Sequence, residues 1–269
     1  LTKGKYVKHL AQKTLSFAVA AAFLSGCASG PGANGGAAVT ASVPSHFTRS
    51  GFLSDYTRLK PASWGGGLEC WRDAHLNASQ YDKVMISRIV VSLKPKAGEA
   101  PTIDPSDLKM LTDYFHDALV TSLKPQMKIV TAPEPDAIVM RIALTSLVPT
   151  EVSRSVAGTL VPYGFVAEAG SGTAAGLPAG ATPYLGETGM EMQFLDGASG
   201  TILGECRDAQ IGRKYAADMD SGAAGAAETW ANGYLNSFQA WSYSKNAIDK
   251  WSLLVAQRFA QLRNDPTLK

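Results

Sequence analysis

Apolar residues crowd the stretch from Tyr81 to Leu93, which is dense in Val and Ile at both odd and even positions and stops at Pro95. Such a run reads as a strand, and apolar residues on both faces place it inside a sheet. A different period follows. Leu108, Leu111, Phe115, Leu119 and Ser122 fall on one face at helical spacing. Asp104 is placed to cap that helix, Pro105 suits its first position, Asp107 complements its dipole, and Lys124-Pro125 ends it. Met127 to Thr131 reads as a short strand. Asp136 to Val148 reads as a longer one, with Ile138, Met140, Ile142 and Leu144 on one face and Val139, Arg141, Ala143 and Thr145 on the other.

Gly189 to Leu195 and Thr201 to Ile211 alternate as two arms of a hairpin, joined by the turn formers Asp196-Gly197-Ala198-Ser199-Gly200. Asp218 to Ala227 is small and glycine-rich and reads as a loop, with a short helix over Glu228 to Ala240. The final helix, about Ser244 to Arg263, buries Ile248, Trp251, Val255, Phe259 and Leu262. The order strand, helix, two strands, hairpin, helix predicts an α+β fold: a single mixed or antiparallel sheet packed by two main helices on one face.

The N-terminus follows other rules. Lys3, Lys5, Lys8 and Lys13 precede an apolar run from Leu15 to Leu24. At about ten residues it is half the roughly 20 a spanning helix needs. Leu24-Ser25-Gly26-Cys27 then forms a lipobox. Residues 1–26 are expected to be a lipoprotein signal peptide, cleaved between Gly26 and Cys27, with lipid on Cys27. Ala28, rather than an aspartate, follows the cysteine, which favours the bacterial outer membrane, periplasmic face, over the inner membrane or the cell surface. Residues 27–45, rich in Gly, Ala, Ser and Pro, read as a lipidated tether reaching roughly 20–25 Å. Residues 46–265 read as one domain.

Charge then changes meaning. The full chain carries +2, but residues 1–26 hold four lysines and no acid, so the remainder carries −2. A domain without basic excess has nothing to draw it to nucleic acid. Beyond Cys27 only Cys70 and Cys206 remain. In an oxidising compartment they form either a Cys70–Cys206 disulfide or two separate buried thiols. Neither lies in a CxxC, and no metal or cofactor is expected. His46, His75 and His116 lack spaced partners. Glu187, Glu191 and Glu205 flank the hairpin and read as solvated charges rather than a catalytic pair. No nucleophile elbow or phosphate loop is present, so the chain is expected not to be an enzyme.

Four stretches carry a family resemblance: Ser50-Gly51-Phe52-Leu53-Ser54-Asp55-Tyr56 with Leu59, Tyr81-Asp82-Lys83-Val84, Arg141-Ile142-Ala143-Leu144-Thr145, and Phe194-Leu195-Asp196 with Ser199-Gly200 and Leu203. On these the sequence resembles the bacterial lipoproteins grouped as domain of unknown function 3313. The resemblance implies an exported lipoprotein without established activity, and it supplies no catalytic residues. Cys70 and Cys206 are not part of the family pattern. The order of elements is also similar to the small α/β domains of envelope accessory lipoproteins, an analogy of fold that does not fix function.

One segment is unusual. Residues 150–187 read as a glycine-rich apolar loop, and Val156, Leu160, Tyr163, Phe165 and Tyr184 are candidates to meet a partner or a bilayer. Trp230, Tyr234, Phe238, Trp241 and Trp251 form an apolar load that packs the core or lines a lipid groove. Three functional readings follow. The first is a non-enzymatic accessory in an envelope protein complex, attached to the membrane through Cys27. The second is a lipid-binding accessory of envelope lipid transport, marked by a dry groove between helix and sheet. The third is a cell-wall hydrolase, marked by a pocket of converging titratable groups.

Overall fold

The computed structural model describes residues 39–93, 103–160, 164–216 and 222–265. The expected signal peptide, Gly26, Cys27 and the expected tether up to residue 38 lie outside them. Among the described residues there are nine strands: β1 (Thr40–Ser42), β2 (Lys60–Pro61), β3 (Glu69–Arg72), β4 (Lys83–Ile86), β5 (Val90–Val91), β6 (Lys128–Val130), β7 (Ala137–Val148), β8 (Glu187–Asp196) and β9 (Ile202–Gly212). Five helices accompany them: α1 (Pro105–Leu123), α2 (Val152–Leu160), α3 (Gly164–Ala174), α4 (Gly222–Asn236) and α5 (Ser242–Asn264).

The strands form one mixed sheet in the order β2-β3-β9-β8-β7-β4-β6. β1 lies on β9 beside β3, and β5 continues β4 along β7. β7, β8, β9 and β3 are antiparallel neighbours, whereas β4 runs parallel to both β6 and β7. A parallel pair needs a crossover, and α1 supplies it between β4 and β6. The α+β class, with a single mixed sheet and two main helices on one face, is the observed architecture.

α1 forms where its caps direct. The Asp104 carboxylate accepts the Ser106 N–H at 2.7 Å, and Pro105 opens the first turn. Leu111, Phe115, Leu119 and Leu123 are fully buried, so the last core contact of α1 is Leu123 rather than Ser122. These residues meet Ile138, Met140, Ile142 and Leu144 of β7 and the α5 stripe in one core. The Phe115 and Trp251 rings lie 5.9 Å apart, and the Tyr114 hydroxyl reaches the Asp249 carboxylate at 2.9 Å. α5 keeps its predicted stripe, with Trp251 fully buried and its indole N–H donating to Asp208 at 2.8 Å.

Four expectations are corrected. The strand over 81–93 is two strands. Ser87 to Ile89 interrupt it, and Val90 and Val91 are exposed rather than central. The tether ends earlier than Ser45. Val39 and Val43 are buried on either side of β1, so alternation begins inside the small-residue stretch. Residues 150–187 are not a loop, because α2 and α3 fill most of them. Gly172 shows why glycine misled: a Cβ there would lie 1.8 Å from the Ala181 carbonyl oxygen, so the residue permits helix-to-backbone contact rather than disorder. Likewise Gly222 to Ala227, read as loop, starts α4. Alanine's helix propensity prevails there, and Gly233 of α4 sits where a Cβ would lie 2.5 Å from the Arg213 carbonyl oxygen.

Cys70 and Cys206 are directly opposite in the β3–β9 register and are joined by a disulfide. The bridge closes a sequence separation of 136 residues, a span over which cross-linking removes much unfolded-state freedom. Replacing both cysteines by alanine is expected to lower stability by about 2–5 kcal/mol. Urea unfolding with and without dithiothreitol checks this. An identical wild-type midpoint in the two conditions would refute a stabilising cross-link.

Candidate functional site

The two faces of the β3–β9 edge carry different chemistry. On the face away from α1 and α5, Glu191 and Glu205 stand on neighbouring strands, each fully buried. The segment Ser50 to Arg58 straps over them. Glu191 accepts the Ser50 N–H at 3.0 Å, the Ser50 hydroxyl at 2.5 Å and the Tyr56 hydroxyl at 2.8 Å. Glu205 accepts the Ser54 N–H at 2.7 Å, the Ser54 hydroxyl at 3.0 Å, the Gln193 amide at 2.7 Å and the Arg58 guanidinium at 2.7 Å. Gly51, at φ +92°, makes the turn that aims both serines inward.

These carboxylates were expected to be solvated hairpin charges, and they are the opposite. Burial pushes the Glu205 carboxyl up, but its donors, led by the Ser54 N–H and the Gln193 amide, outweigh burial and hold it below the usual value. Burial and the bond to Glu191 push the Tyr56 hydroxyl up. Both glutamates have their oxygens occupied, so the arrangement anchors a strap and leaves no carboxylate facing a ligand.

On the helix side, α5 and the β3–β9 edge enclose a cavity of about 280 Å³. Its walls are apolar: Trp64, Leu76, Phe194, Leu203, Phe259 and Leu262, with the disulfide-bonded Cys70 and Cys206 also in the lining. Its charged lining residues are Lys60, Arg72 and Arg258, and neither an acid nor a histidine lines it. Arg258 lies 5.3 Å from the centre of the Trp64 ring. Burial, and then the Arg72 charge, pull its guanidinium below the usual arginine range. The volume is just under the roughly 300–1,000 Å³ typical of small-molecule sites.

The residues singled out from the sequence are distributed elsewhere. Val156 is half-buried on α2, Leu160 is 75% exposed at its end, and Phe165 belongs to α3. Tyr163 lies outside the described residues. Tyr184 is half-buried, packs against Val39, Leu185 and Tyr243, and bonds Glu168. Glu168 in turn pairs with the fully buried Lys214 at 2.8 Å and accepts the Tyr215 hydroxyl at 2.5 Å, while Lys214 also donates to the Ser155 carbonyl at 2.8 Å. This buried ion pair holds α2 and α3 to the end of β9. His46 is not alone either, because its Nδ1 lies 2.6 Å from Glu187. Among the described residues no cluster of His, Cys, Asp and Glu has metal-binding geometry, and no helix is long and apolar enough to cross a membrane.

Of the aromatic load, Trp251 is core, and Trp230 and Tyr234 of α4 form a ladder with Phe238 just beyond it, with Trp230 47% exposed. The cavity uses Trp64 and Phe259 instead. Sequence reading missed Lys60, Trp64, Arg72 and Arg258. The available signal was the density of tryptophan and basic residues on either side of Gly65-Gly66-Gly67, ahead of and around Cys70.

The strap yields a test. Glu205 is held below the glutamate value of about 4.5 that applies in the unfolded chain. Its contribution to stability is therefore complete above about pH 4.5 and is lost as pH falls through the folded-state value. Removing one partner of a buried pair costs about 3–5 kcal/mol. Glu205→Ala is expected to destabilise on that scale at pH 7 and to flatten the acid limb of the stability curve. Urea midpoints at pH 7 and pH 4 check it, and an acid limb unchanged in the variant would contradict the assignment.

Comparison with solved structures finds partial likenesses. The PelC dodecamer of Paraburkholderia phytofirmans is 10% identical, with 70% of this chain and 97% of that chain covered at a TM-score of 0.35. A DUF330 protein of Xanthomonas campestris is 13% identical, covering 67% and 89% at 0.29. A DUF4136 protein of Bacteroides thetaiotaomicron is 9% identical, covering 64% and 96% at 0.25. At these similarities none of the three bears on function. No curated protein matches the sequence. The Protein of unknown function (DUF3313) family model matches residues 48–238, which takes in the strap, both arms of the hairpin and most of the cavity wall, and the chain belongs to that family.

Proposed function

We propose that the protein is a non-enzymatic binding domain of the bacterial envelope, held by lipid on Cys27 at the periplasmic face of the outer membrane and serving an envelope protein complex. One observation carries the binding part: the cavity between α5 and the β3–β9 edge is lined by apolar groups, three cations and a disulfide. Such a lining recognises and holds a ligand, and it offers no proton-transfer pair of the kind a cell-wall hydrolase uses. The buried glutamates nearby are consumed by the strap. The anchoring part is supported by the order of basic start, short apolar run and lipobox.

A second reading, a lipid-binding accessory of envelope lipid transport, is favoured by the same cavity, which is an apolar groove between helix and sheet.

Fractionation and crosslinking test the first reading. Wild type is expected in the outer-membrane fraction within a discrete crosslinked complex of native envelopes. Cys27→Ser, which removes the lipid and the cleavage signal together, is expected to leave the outer-membrane fraction and to yield less of that complex. A solitary monomer in crosslinked envelopes would count against the accessory role, and unchanged fractionation of Cys27→Ser would count against the anchor.

A further inference from the structure

The cavity has a chemical character specific enough to name its ligand class. Three features coincide. The walls are apolar and largely aromatic, with Phe194 meeting Phe259 edge-on at 5.5 Å. The charged groups are all positive, with Arg72 and Arg258 both half-buried and Lys60 exposed. The volume, about 280 Å³, set against roughly 30 Å³ for a water-sized group, admits a chain of roughly nine methylenes. That is one acyl chain in part or whole, and it is too little for two.

Two guanidiniums that face one cavity repel each other, and burial raises the cost of keeping both charged. The depressed Arg258 reflects burial first and Arg72 second. An anionic head group at Arg72 and Arg258 gains charge-assisted hydrogen bonds in a cavity that no acid lines, and the planar guanidinium fork suits carboxylate and phosphate alike.

Resting on the reading of this cavity as the binding site, we propose that it takes a single-chain anionic amphiphile, its chain between α5 and Leu203 and its head group at Arg72 and Arg258. The shared chemistry is one alkyl chain and one anionic head. Two sources supply it, a free fatty acid and a lysophospholipid.

The chain from residue 27 onward with Cys27→Ser, purified without detergent, is titrated calorimetrically with decanoate as the probe, whose nine carbons beyond the carboxylate match the cavity. Saturable binding of one probe per chain is expected. Laurate is expected to displace it at least tenfold more effectively than dodecanol, which has the same chain without the charge. Arg72→Gln with Arg258→Gln is expected to weaken the probe at least tenfold and to abolish the preference for laurate over dodecanol. Leu203→Trp, which fills the cavity, is expected to block the probe, with thermal unfolding used to show that each variant is folded. Competition between laurate and lauroyl-lysophosphatidylglycerol identifies the head group, and stronger displacement by either supports the class.

Absence of saturable binding overturns the proposal, as does equal displacement by dodecanol or unchanged affinity in folded variants. An apolar side chain of a protein partner in the cavity would give the first of these results. The crosslinked complex would then persist, so failure of this inference is distinguishable from failure of the accessory role.

Discussion

Three carboxylates of the β8–β9 hairpin, Glu191, Glu205 and Asp208, are taken almost wholly out of water. A buried ionised group costs several kcal/mol unless it is paired and hydrogen-bonded. Each carboxylate therefore dictates what must lie over it. Glu191 and Glu205 draw in Ser50, Ser54, Tyr56 and Arg58. Asp208, on the helix face, accepts from Ser42 of β1 at 2.5 Å, from Gln210 at 2.6 Å and from Trp251 of α5 at 2.8 Å. Peripheral pieces separated by up to two hundred residues are thus fixed by donors that the hairpin requires. A fourth carboxylate, Glu168, does the same for α2 and α3 through Lys214.

What was legible in the sequence follows from this arrangement. α1, β7, the hairpin and α5 carry strong periodicity and explicit caps or turns, and they appear where periodicity put them. Elements set by long-range polar pairing were not legible. Nothing local marks Glu205 as buried, because its strap donors, Ser54 and Arg58, are about 150 residues away in sequence. Ser50 to Tyr56 was visible as a family signature without its reason, which the structure supplies as a clamp on two glutamates. Glycine misled in the same way at Gly172 and Gly233, where absence of a Cβ serves contact with a backbone that sequence alone cannot bring alongside. The cavity was foreseen only as a kind of feature, a groove between helix and sheet. Much of its lining comes from the β2–β3 region, which offers too few apolar positions to announce itself.

β3 connects the strap to the cavity. Its residues alternate between faces: Cys70, bridged to Cys206, and Arg72 line the cavity, while Glu69 pairs with Arg207 at 2.6 Å among the residues under the strap. The Arg58 guanidinium, already bound to Glu205, lies 3.4 Å from the centre of the Trp71 ring. A four-residue strand near the edge of a sheet has few ladder bonds of its own. The disulfide and the Arg58–Trp71 contact secure it in addition to those bonds.

The edge beyond β3 has its own chemistry. An exposed strand edge invites pairing with another chain. Here the outermost strand is β2, only Lys60 and Pro61 long, and proline offers no N–H while lysine places a charge on the edge. Strand addition at β2 is accordingly blocked by the same two residues that border the cavity. What this side of the molecule presents is side chains, which are the aromatic and aliphatic cavity walls and three cations. The geometry thus turns a sheet edge, ordinarily a site of indiscriminate pairing, into a rim around a pocket with a defined charge.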